Sequence, residues 1–472
     1  MVENVQMSVI QYLPVEVLCC IFDKLTVAER RHLHLVCSHW YRILVRKHFL
    51  LKRQLKVSSD NVELLAYDSE EWAKFPCVSI RDDESSPKSA RRKNFLSLLR
   101  KAIFGRLVLS HIEELTVENI QSDLLFELFG ESCGQCRFPS LNYLIVSCCE
   151  LNNLPRNRAW YFPNCLTRLA IVLGNGNELA LVETVAGQLE ELLLESTKLD
   201  LLLQCCNLPG FVKLRMLKLR SDTFFPERFS NAFEIGDNFV RTLSQLKNLA
   251  IGFRHNDFQL GYAPLLQHCH SLEALSILGT DLCVAACNAI GRLQGLRKLE
   301  LLVRIEKSSN LISWNFQNLV SLHTYVWNLA PLGNDLPSLK VIRISNYTVR
   351  EGRFSVRPVE QIYLQRYFSH FGTIVKLFLY DIYLEENLLL QFPKMQTREI
   401  ILRCVRTSSL VLDIIYERAP AIFYLYFWDC CFLVSPRAKI PSFGELSRLL
   451  PHVHISHSSS KIIAVDYTQI LS

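Results

Sequence analysis

One short apolar pattern, L-x-x-L-x-L, returns along most of the chain and limits the folds it can adopt more than any other feature. It first occurs near residue 112 and is often extended by x-x-[C/T/N]-x-L. Because alternate side chains of a strand share a face, the last two apolar residues of each copy enter one core. The first closes the turn before the strand, and the cysteine or threonine satisfies backbone groups where the chain bends away. The most complete copies are LNYLIVSCCEL from Leu141, LEELLLESTKL from Leu189, LEALSILGTDL from Leu272 and IFYLYFWDCCFL from Ile422.

Weaker copies fill the intervals, and most copies lie about 23 to 29 residues apart, a spacing typical of leucine-rich repeats. Since one unit cannot bury its apolar side alone, such units stack, and we expect an α/β solenoid shaped like a horseshoe. The starts at Leu339, Val359 and Ile374 are closer together, so either the convex side is very short there or one copy is spurious. The weaker copies begin at Ile112, Leu166, Leu214, Leu246, Leu296, Leu322, Leu339, Val359, Ile374, Thr397 and Leu450.

The first fifty residues carry a different, helical period. After Leu13 and Pro14, apolar residues at Val17 or Leu18, Ile21, Phe22 and Leu25 form one stripe of a short helix. The string from Thr26 to Glu29 is a capping box that begins a second helix, with Leu33, Val36 and Cys37 inside. Ser38 can cap a third helix carrying Trp40, Ile43 and Leu44. Three short helices hold more apolar surface than they can bury, so they either meet a partner or cap the next domain.

This amino-terminal segment resembles an F-box across residues 10 to 50, because its leucine, proline, glutamate, cysteine and tryptophan all stand in register. The matching residues are Leu13, Pro14, Glu16, Val17, Leu18, Ile21, Phe22, Leu25, Leu35, Val36, Cys37 and Trp40. Ser38-His39 departs mildly from the family, in which a basic residue often follows the cysteine. The resemblance implies docking onto the Skp adaptor of a cullin–RING ubiquitin ligase. The residues it implies for that interface or its supporting core are Leu13, Pro14, Val17, Leu18, Ile21, Phe22, Leu25, Val36, Cys37 and Trp40.

These patterns predict four regions. They are an F-box at 8–51, a linker and first irregular repeat region at 52–111 with a charged exposed loop at 81–94, leucine-rich repeats at 112–456, and a carboxyl-terminal tail at 457–472.

Composition excludes several classes of protein. The 472 residues are 49% hydrophobic and 21% charged, which indicates a folded chain, and a net charge of +6 is too weak to indicate nucleic-acid binding. No run of about 18 apolar residues predicts a membrane span, and the amino terminus does not read as a signal peptide. The 17 cysteines are therefore expected to be reduced thiols, in the cytoplasm, the nucleus or both.

Residues between the core positions of each predicted strand should face the concave side of the solenoid and meet a target. The carboxyl-terminal half of that side is rich in aromatic residues and arginine, the types that dominate binding hot spots. The predicted target-binding residues are Arg343, Tyr363, Phe378, Tyr380, Arg403, Tyr426 and Trp428. Two alternatives stay open: the tail covers these rings, or the charged strip of Lys218, Arg220 and Glu300 carries binding instead.

No catalytic, metal or cofactor motif rises above background. Cys133 and Cys136 form a lone C-x-x-C, and zinc needs four ligands. The alternating His452, His454 and His457 are typical of polar surface, and residues 174–176 (Gly-Asn-Gly) of a turn.

The function predicted from the resemblance is that of a non-catalytic substrate-recognition subunit of a Skp–cullin–F-box E3 ubiquitin ligase, with an unknown protein target. One alternative is an F-box scaffold that binds partners without ubiquitination. Another is a stand-alone repeat protein whose three helices merely cap the array.

Overall fold

The computed structural model divides the chain into two compact units, Met1–Leu214 and Arg215–Ser472. The residues it describes are 13, 15–25, 33, 40, 43, 54–59, 62–67, 75–82, 90–105, 109–120, 122–130, 136–147, 160–174, 176–221, 235–253, 259–279, 281–303, 305, 314–326, 336–346, 364–365, 367–368, 371–384, 386–408, 411–434, 454–458 and 461–464.

The first unit contains a ladder of parallel strands in which each strand is hydrogen-bonded to the next in chain order. The strands are β1 (Gln54–Val57), β2 (Cys77–Arg81), β3 (Glu114–Glu118), β4 (Tyr143–Ser147), β5 (Arg168–Leu173) and β6 (Glu191–Ser196). The helices of this unit are α1 (Val15–Lys24), α2 (Val62–Tyr67), α3 (Ala90–Gly105), α4 (Ser122–Phe129), α5 (Glu178–Val185) and α6 (Leu199–Cys206), with a 3-10 turn at Leu109–His111.

The second unit repeats the same construction with more strands. These are β7 (Met216–Ser221), β8 (Asn248–Phe253), β9 (Ala274–Leu278), β10 (Lys298–Leu302), β11 (Ser321–Tyr325), β12 (Val341–Ser345), β13 (Lys376–Tyr380), β14 (Tyr383–Leu384), β15 (Glu399–Arg403), β16 (Arg406–Ser408), β17 (Tyr424–Trp428), β18 (Cys431–Val434), β19 (His454–Ser458) and β20 (Lys461–Ala464). The helices are α7 (Asp237–Gln245), α8 (Gln259–Leu266), α9 (Val284–Gly291), α10 (Glu386–Leu389) and α11 (Val411–Arg418).

Two parallel ladders run through this second unit. The main ladder joins β7 to β13 in order and continues through β15, β17 and β19. A smaller ladder joins β14, β16, β18 and β20, the short strands that follow the last four strands of the main ladder. Parallel strands need crossover connections, and the helices and loops between strands supply them, so the predicted α/β solenoid-like fold is confirmed.

The repeat pattern produces the ladder because equivalent residues become direct neighbours. Leu249, Leu275 and Leu299 are Cα partners across β8, β9 and β10, and each is no more than 2% exposed. Leu272, which precedes β9, and Ile277 within it are equally buried. The three apolar positions of L-x-x-L-x-L therefore stack repeat upon repeat into one core, as predicted.

Three predicted repeat starts are wrong. The copy assigned to Leu322 begins at Leu319, because Leu322 pairs with the second core position, Leu299. The copy at Val359 contributes no ladder strand, because β12 pairs directly with β13, and the next described residue of that copy, Leu364, is helical. The copy at Leu450 begins two residues later, because Ile455 pairs with Leu425, the second core position of the preceding repeat.

The structure also differs from the predicted boundaries between the four regions. Strands β1 and β2 lie in the same ladder as β3, so the ladder begins within the segment predicted as a linker. The charged segment 81–94 is not one loop, because Arg81 ends β2 and residues from Ala90 onward belong to α3. At the other end, β19 and β20 continue the two ladders into the segment predicted as a tail.

In two repeats, a polar side chain at or just after the end of the strand satisfies a backbone carbonyl of the preceding repeat. The Cys430 thiol donates to the carbonyl of Leu402 at 3.1 Å, as the pattern predicts. In the repeat from Leu189, the hydroxyl of Ser196 donates to the Leu173 carbonyl at 2.8 Å, whereas the expected Thr197 is exposed. Ser196 stands one residue before Thr197 and its side chain is buried, so it can supply the donor that the Leu173 carbonyl needs.

Candidate interaction surfaces

Helix α1 uses one side to build the small amino-terminal core. Leu18 and Phe22 are at most 1% exposed and pack with Ile43, and the Phe22 and Trp40 rings meet edge to face at 5.3 Å. Partly buried residues surround this cluster: Leu13, Val15, Cys19, Leu25, Leu33 and Trp40. Leu33, Trp40 and Ile43 are helical, as the sequence predicts, while the capping box from Thr26 to Glu29 lies outside the described residues.

The opposite side of α1 presents apolar residues to solvent. Val17 is 42% exposed and Ile21 is 43% exposed, and Cys20 between them is exposed too. We call Val17, Cys20 and Ile21 the α1 stripe. Residues at i, i+3 and i+4 of a helix lie side by side, so these three form one continuous surface.

The predicted adaptor-binding residues therefore divide into three groups. Val17 and Ile21 lie in the α1 stripe, where a partner can touch them. The second group supports α1 from the core side and consists of Leu13, Leu18, Phe22, Leu25 and Trp40. Pro14, Val36 and Cys37 lie outside the described residues. Cys20 was missed by the sequence reasoning, although its i+3 spacing from Val17 was a signal that could have found it.

In the second unit, the side chains that alternate with buried core residues along β7 to β17 form a surface that we call the open face. Lys218, Ser276, Glu300 and Arg343 lie on it, as predicted from their place in the repeats. The corrected start at Leu319 changes β11: Val326 is buried at 2% exposure, and His323 and Tyr325 take the open-face positions. His323 was missed because of that register error.

A hydrogen-bonded network crosses four neighbouring strands of the open face. The Ser276 hydroxyl donates to Oε2 of Glu300 at 2.7 Å, and His323 Nδ1 lies 2.7 Å from Glu300 Oε1. Since a carboxylate only accepts, Nδ1 carries the hydrogen of this pair. His323 Nε2 lies within hydrogen-bond distance of the Ser345 hydroxyl, at 3.2 Å. These hydrogen bonds hold the Glu300 and His323 side chains in one orientation.

The charge state of Glu300 follows from this network. The hydrogen bond from His323 lowers the pKa of the Glu300 carboxyl, burial opposes it, and the Ser276 hydroxyl and the charge of Arg343 act in the same direction as His323. The carboxylate therefore stays ionised at neutral pH with both oxygens occupied.

The order Ser345, His323, Glu300 has the connectivity of a hydrolytic triad, but a triad also needs donors for an oxyanion. The backbone N–H of Asn346, the residue after Ser345, donates to the Tyr380 carbonyl at 3.0 Å. That N–H is therefore occupied by the ladder and is not free to serve as an oxyanion donor.

Arg343 and Tyr380 line one wall of this region. The Arg343 guanidinium lies 4.4 Å above the Phe378 ring, and its Nη1 donates to the Ser321 hydroxyl at 3.2 Å. Phe378 is only 8% exposed beneath it, so little of the ring of this predicted target-binding residue is accessible. Tyr380 stands edge to face with His323 at 6.1 Å, and burial raises the pKa of its phenol despite the nearby Arg343.

The aromatic end of the open face lies on β15 and β17. Tyr424 and Tyr426 stack at 6.4 Å, Tyr426 and Trp428 meet edge to face at 6.4 Å, and the Arg403 guanidinium lies 4.9 Å over Trp428. Trp428 is 46% exposed and Arg403 is exposed as well. Strands β19 and β20 extend the two ladders beyond β17 and β18, and residues 465–472 lie outside the described part. Tyr363 also falls outside it.

The structure describes only part of the weaker motifs named in the sequence analysis. No group of three or more His, Cys, Asp or Glu within the described ranges is placed to hold a metal ion. Cys136 is half-buried, and Cys133, His452 and the side chains of His454 and His457 are outside the description. Gly176 adopts a φ of 91°, and its N–H donates to the Glu178 carboxylate at 3.0 Å, as suits a turn. Among the helices described, none has the length and apolar character needed to cross a membrane.

Comparison with known proteins identifies the amino-terminal segment. Residues 10–55 match the F-box-like family model. A search of curated protein sequences found no relative.

Several solved structures resemble the chain at low identity. The mouse RP105/MD-1 complex matches 82% of this chain and 55% of its own at 14% identity and a TM-score of 0.37. The TLR13–ssRNA13 complex matches 89% of this chain and 59% of its own at 15% identity and a TM-score of 0.37. An internalin from Listeria monocytogenes matches 77% of this chain and 86% of its own at 14% identity and a TM-score of 0.31. The match thus spans less than two thirds of the length of the RP105 and TLR13 chains. TM-scores this low support no statement about function.

The family match coincides with the helical segment whose core and exposed stripe are described above. The repeats that follow it form parallel ladders with stacked leucine positions. The chain therefore carries an F-box-like domain at residues 10–55, followed by a solenoid-like array of leucine-rich repeats.

Proposed function

We propose that this chain is the substrate-recognition subunit of a Skp–cullin–F-box E3 ubiquitin ligase. The observation that carries the proposal is helix α1 of the F-box-like domain. It buries Leu18 and Phe22 yet leaves the apolar Val17 and Ile21 more than two-fifths exposed. Apolar side chains that adjoin on one helix face and stay exposed are typical of a docking surface.

In this proposal the chain holds a target and performs no bond-making step itself. The α1 stripe binds the Skp adaptor and, through it, the cullin–RING ligase. The open face binds the target and raises its effective concentration near the ubiquitin-carrying enzyme. Such a role places the chain in the cytosol or nucleus, compartments in which its many thiols stay reduced.

The residues proposed to meet the target are those of the predicted set that reach the open face with an accessible side chain. Arg343 and Tyr380 are partly exposed on β12 and β13, and Arg403, Tyr426 and Trp428 follow on β15 and β17. Arginine and large aromatic rings bury much surface at little entropic cost, so they suit the centre of an interface.

Affinity capture of the full chain under proteasome inhibition tests the proposal. We expect adaptor, cullin and one or more targets that accumulate when the proteasome is blocked. Recovery of adaptor without cullin would support the scaffold alternative, and recovery of neither would exclude a ligase role. A Val17→Asp, Ile21→Asp chain is the matched comparison, because it should lose adaptor and cullin and keep targets.

A further inference from the structure

The open face of the second unit contains a cleft that the predicted target-binding residues only partly explain. Its volume is about 580 Å³, and its floor on β8 and β9 consists of small side chains: Asn248, Ala250, Ala274 and Ser276. Larger side chains rise on both sides, with Lys218 on β7 and with Lys298, Glu300 and His323 on β10 and β11. Neighbouring strands lie about 4.8 Å apart, so β7 and β10 are separated by roughly 14 Å. That width admits one extended polypeptide with its side chains.

The charges around this cleft are not balanced. Lys218 and Lys298 are exposed, and Arg343 lines the same cleft. Glu300 is the sole acidic residue among the described residues that line it. Both Glu300 oxygens are already hydrogen-bonded, one to Ser276 and one to His323. The Glu300 carboxylate is therefore held by neighbouring side chains of the protein, while Lys218 and Lys298 are exposed.

The floor of the cleft is low because of the residues that two consecutive repeats place there. Side chains at the same level of the ladder run from Lys218 through Ala250 and Ser276 to Glu300. Two consecutive repeats thus place a small residue where their neighbours on either side place a long charged one. The depression is set by those two positions, which line the cleft together with Asn248 and Ala274.

We propose that this cleft binds an extended segment of a protein target and seats an anionic side chain of that segment, a carboxylate or a phosphate, between Lys218 and Lys298. The inference rests on the proposed function, since it specifies what the open face recognises. Small residues on the floor give room for the peptide backbone, and the two ammonium groups supply charge-assisted hydrogen bonds to the anion. The Glu300–His323 pair holds the adjoining wall in place.

Binding of defined peptides to the full chain tests this inference. Four fluorescein-labelled Gly-Ser peptides of equal length carry three glutamates, three phosphoserines, three serines or three lysines, and anisotropy reports their affinity. We expect the glutamate or phosphoserine peptide to bind more tightly than the serine and lysine peptides, and to weaken as salt screens the charges. Preference for phosphoserine alone would identify a phosphorylated target, whereas equal binding of both would identify an acidic one.

Two variants locate the site. Lys218→Glu with Lys298→Glu reverses the charges, and Ala250→Leu fills the floor without changing charge. Each should weaken the anionic peptide by about tenfold, the effect expected for losing a charge-assisted contact. The matched control, Lys340→Glu with Lys394→Glu, changes two exposed lysines of the same unit outside the cleft and should leave binding unchanged.

The inference would be overturned if anionic and neutral peptides bound alike, if the wild-type chain bound none of them, or if both cleft variants kept full affinity. Equally tight binding of a single-stranded RNA of the same charge would also overturn it, because the site would then read only charge. Adaptor capture, measured on the same preparations, reports the proposed function separately, since the α1 stripe belongs to the other unit.

Discussion

His323 Nδ1 and Glu300 Oε1 lie 2.7 Å apart across adjacent strands of the open face. The hydrogen bond keeps the pKa of Glu300 below its ordinary value of 4.5 in the folded chain. A carboxyl group whose pKa falls on folding stabilises the fold above its ordinary pKa, and that contribution is lost as the pH falls below it.

Glu300→Gln keeps the shape of the side chain and removes the charge. We expect it to lower the free energy of unfolding at pH 7 by about 1 kcal/mol, less than for a fully buried charged hydrogen bond because water screens the half-exposed carboxylate. The difference from wild type should shrink as the pH drops from 4.5 toward 3, measured by urea unfolding.

Glu273→Gln provides the control, because Glu273 forms a solvent-exposed ion pair with Lys247 at 3.0 Å. An exposed ion pair of this kind contributes little, so no change should be measurable. A pH-independent effect of Glu300→Gln would contradict the electrostatic account of the network.

Leu275 and Leu278 test the face assignment of β9, because the same substitution is made on opposite sides of one strand. Leu275 is 2% exposed in the stacked core, and Leu278 lies on the open face with partial exposure. Leu275→Asp buries an unpaired carboxylate and should destabilise the second unit by about 3 kcal/mol or more. Leu278→Asp should unfold close to wild type. Equal thermal melts for the two variants would show that the register is wrong.

The repeat register of β9 could be predicted from sequence because Leu272, Leu275 and Ile277 are all apolar at the consensus positions. The register of β11 could not, because buried Thr324 occupies the third core position and a leucine three places after Leu319 imitates a start. Strands β1 and β2 were missed for a similar reason: Leu55 and Val57, or Val78 and Ile80, supply only two core positions each and lack leucine before the strand.

The site could be predicted in part for the same reasons. Periodicity places Val17 and Leu18 on one helix, but it cannot say which of the two meets the small core, since both fit an apolar stripe. The Glu300–His323 contact depends on the β10–β11 register, so it was hidden by the error at Leu319.

Tyr426 and Trp428 should contribute to target binding without contributing to the core, because Leu425 and Phe427 on the same strand are fully buried. Replacing both rings with serine should weaken target binding by about 2 kcal/mol if they form a hot spot. A quantitative comparison of captured partners measures this, with the adaptor signal expected to stay constant. Phe423→Ser is the control, since Phe423 is 68% exposed but lies before the strand. Equal loss from both variants would argue against a specific aromatic site.

Cys20 offers a direct probe of the α1 stripe. Its thiol is exposed between Val17 and Ile21, so a bound adaptor should cover it. We expect saturating adaptor to slow alkylation of Cys20 by iodoacetamide about tenfold or more, because thiol reactivity depends on access. Cys165 is exposed elsewhere in the same unit and should react at an unchanged rate. Site-resolved mass spectrometry measures both thiols in one sample, and unaltered labelling of Cys20 would place the adaptor elsewhere.

The most direct test of the central claim is a binding isotherm between the purified full chain and the purified Skp adaptor. We expect a one-to-one complex that Val17→Asp with Ile21→Asp abolishes, because a charge in place of each apolar contact cannot be desolvated without cost. Val212→Asp with Leu390→Asp, which changes two apolar residues that lie outside the α1 sequence and are 68% and 54% exposed, should bind like wild type. If the wild-type chain does not bind the adaptor, or if the α1 variant binds it as tightly, the assignment of this chain as an adaptor-docking F-box subunit is contradicted.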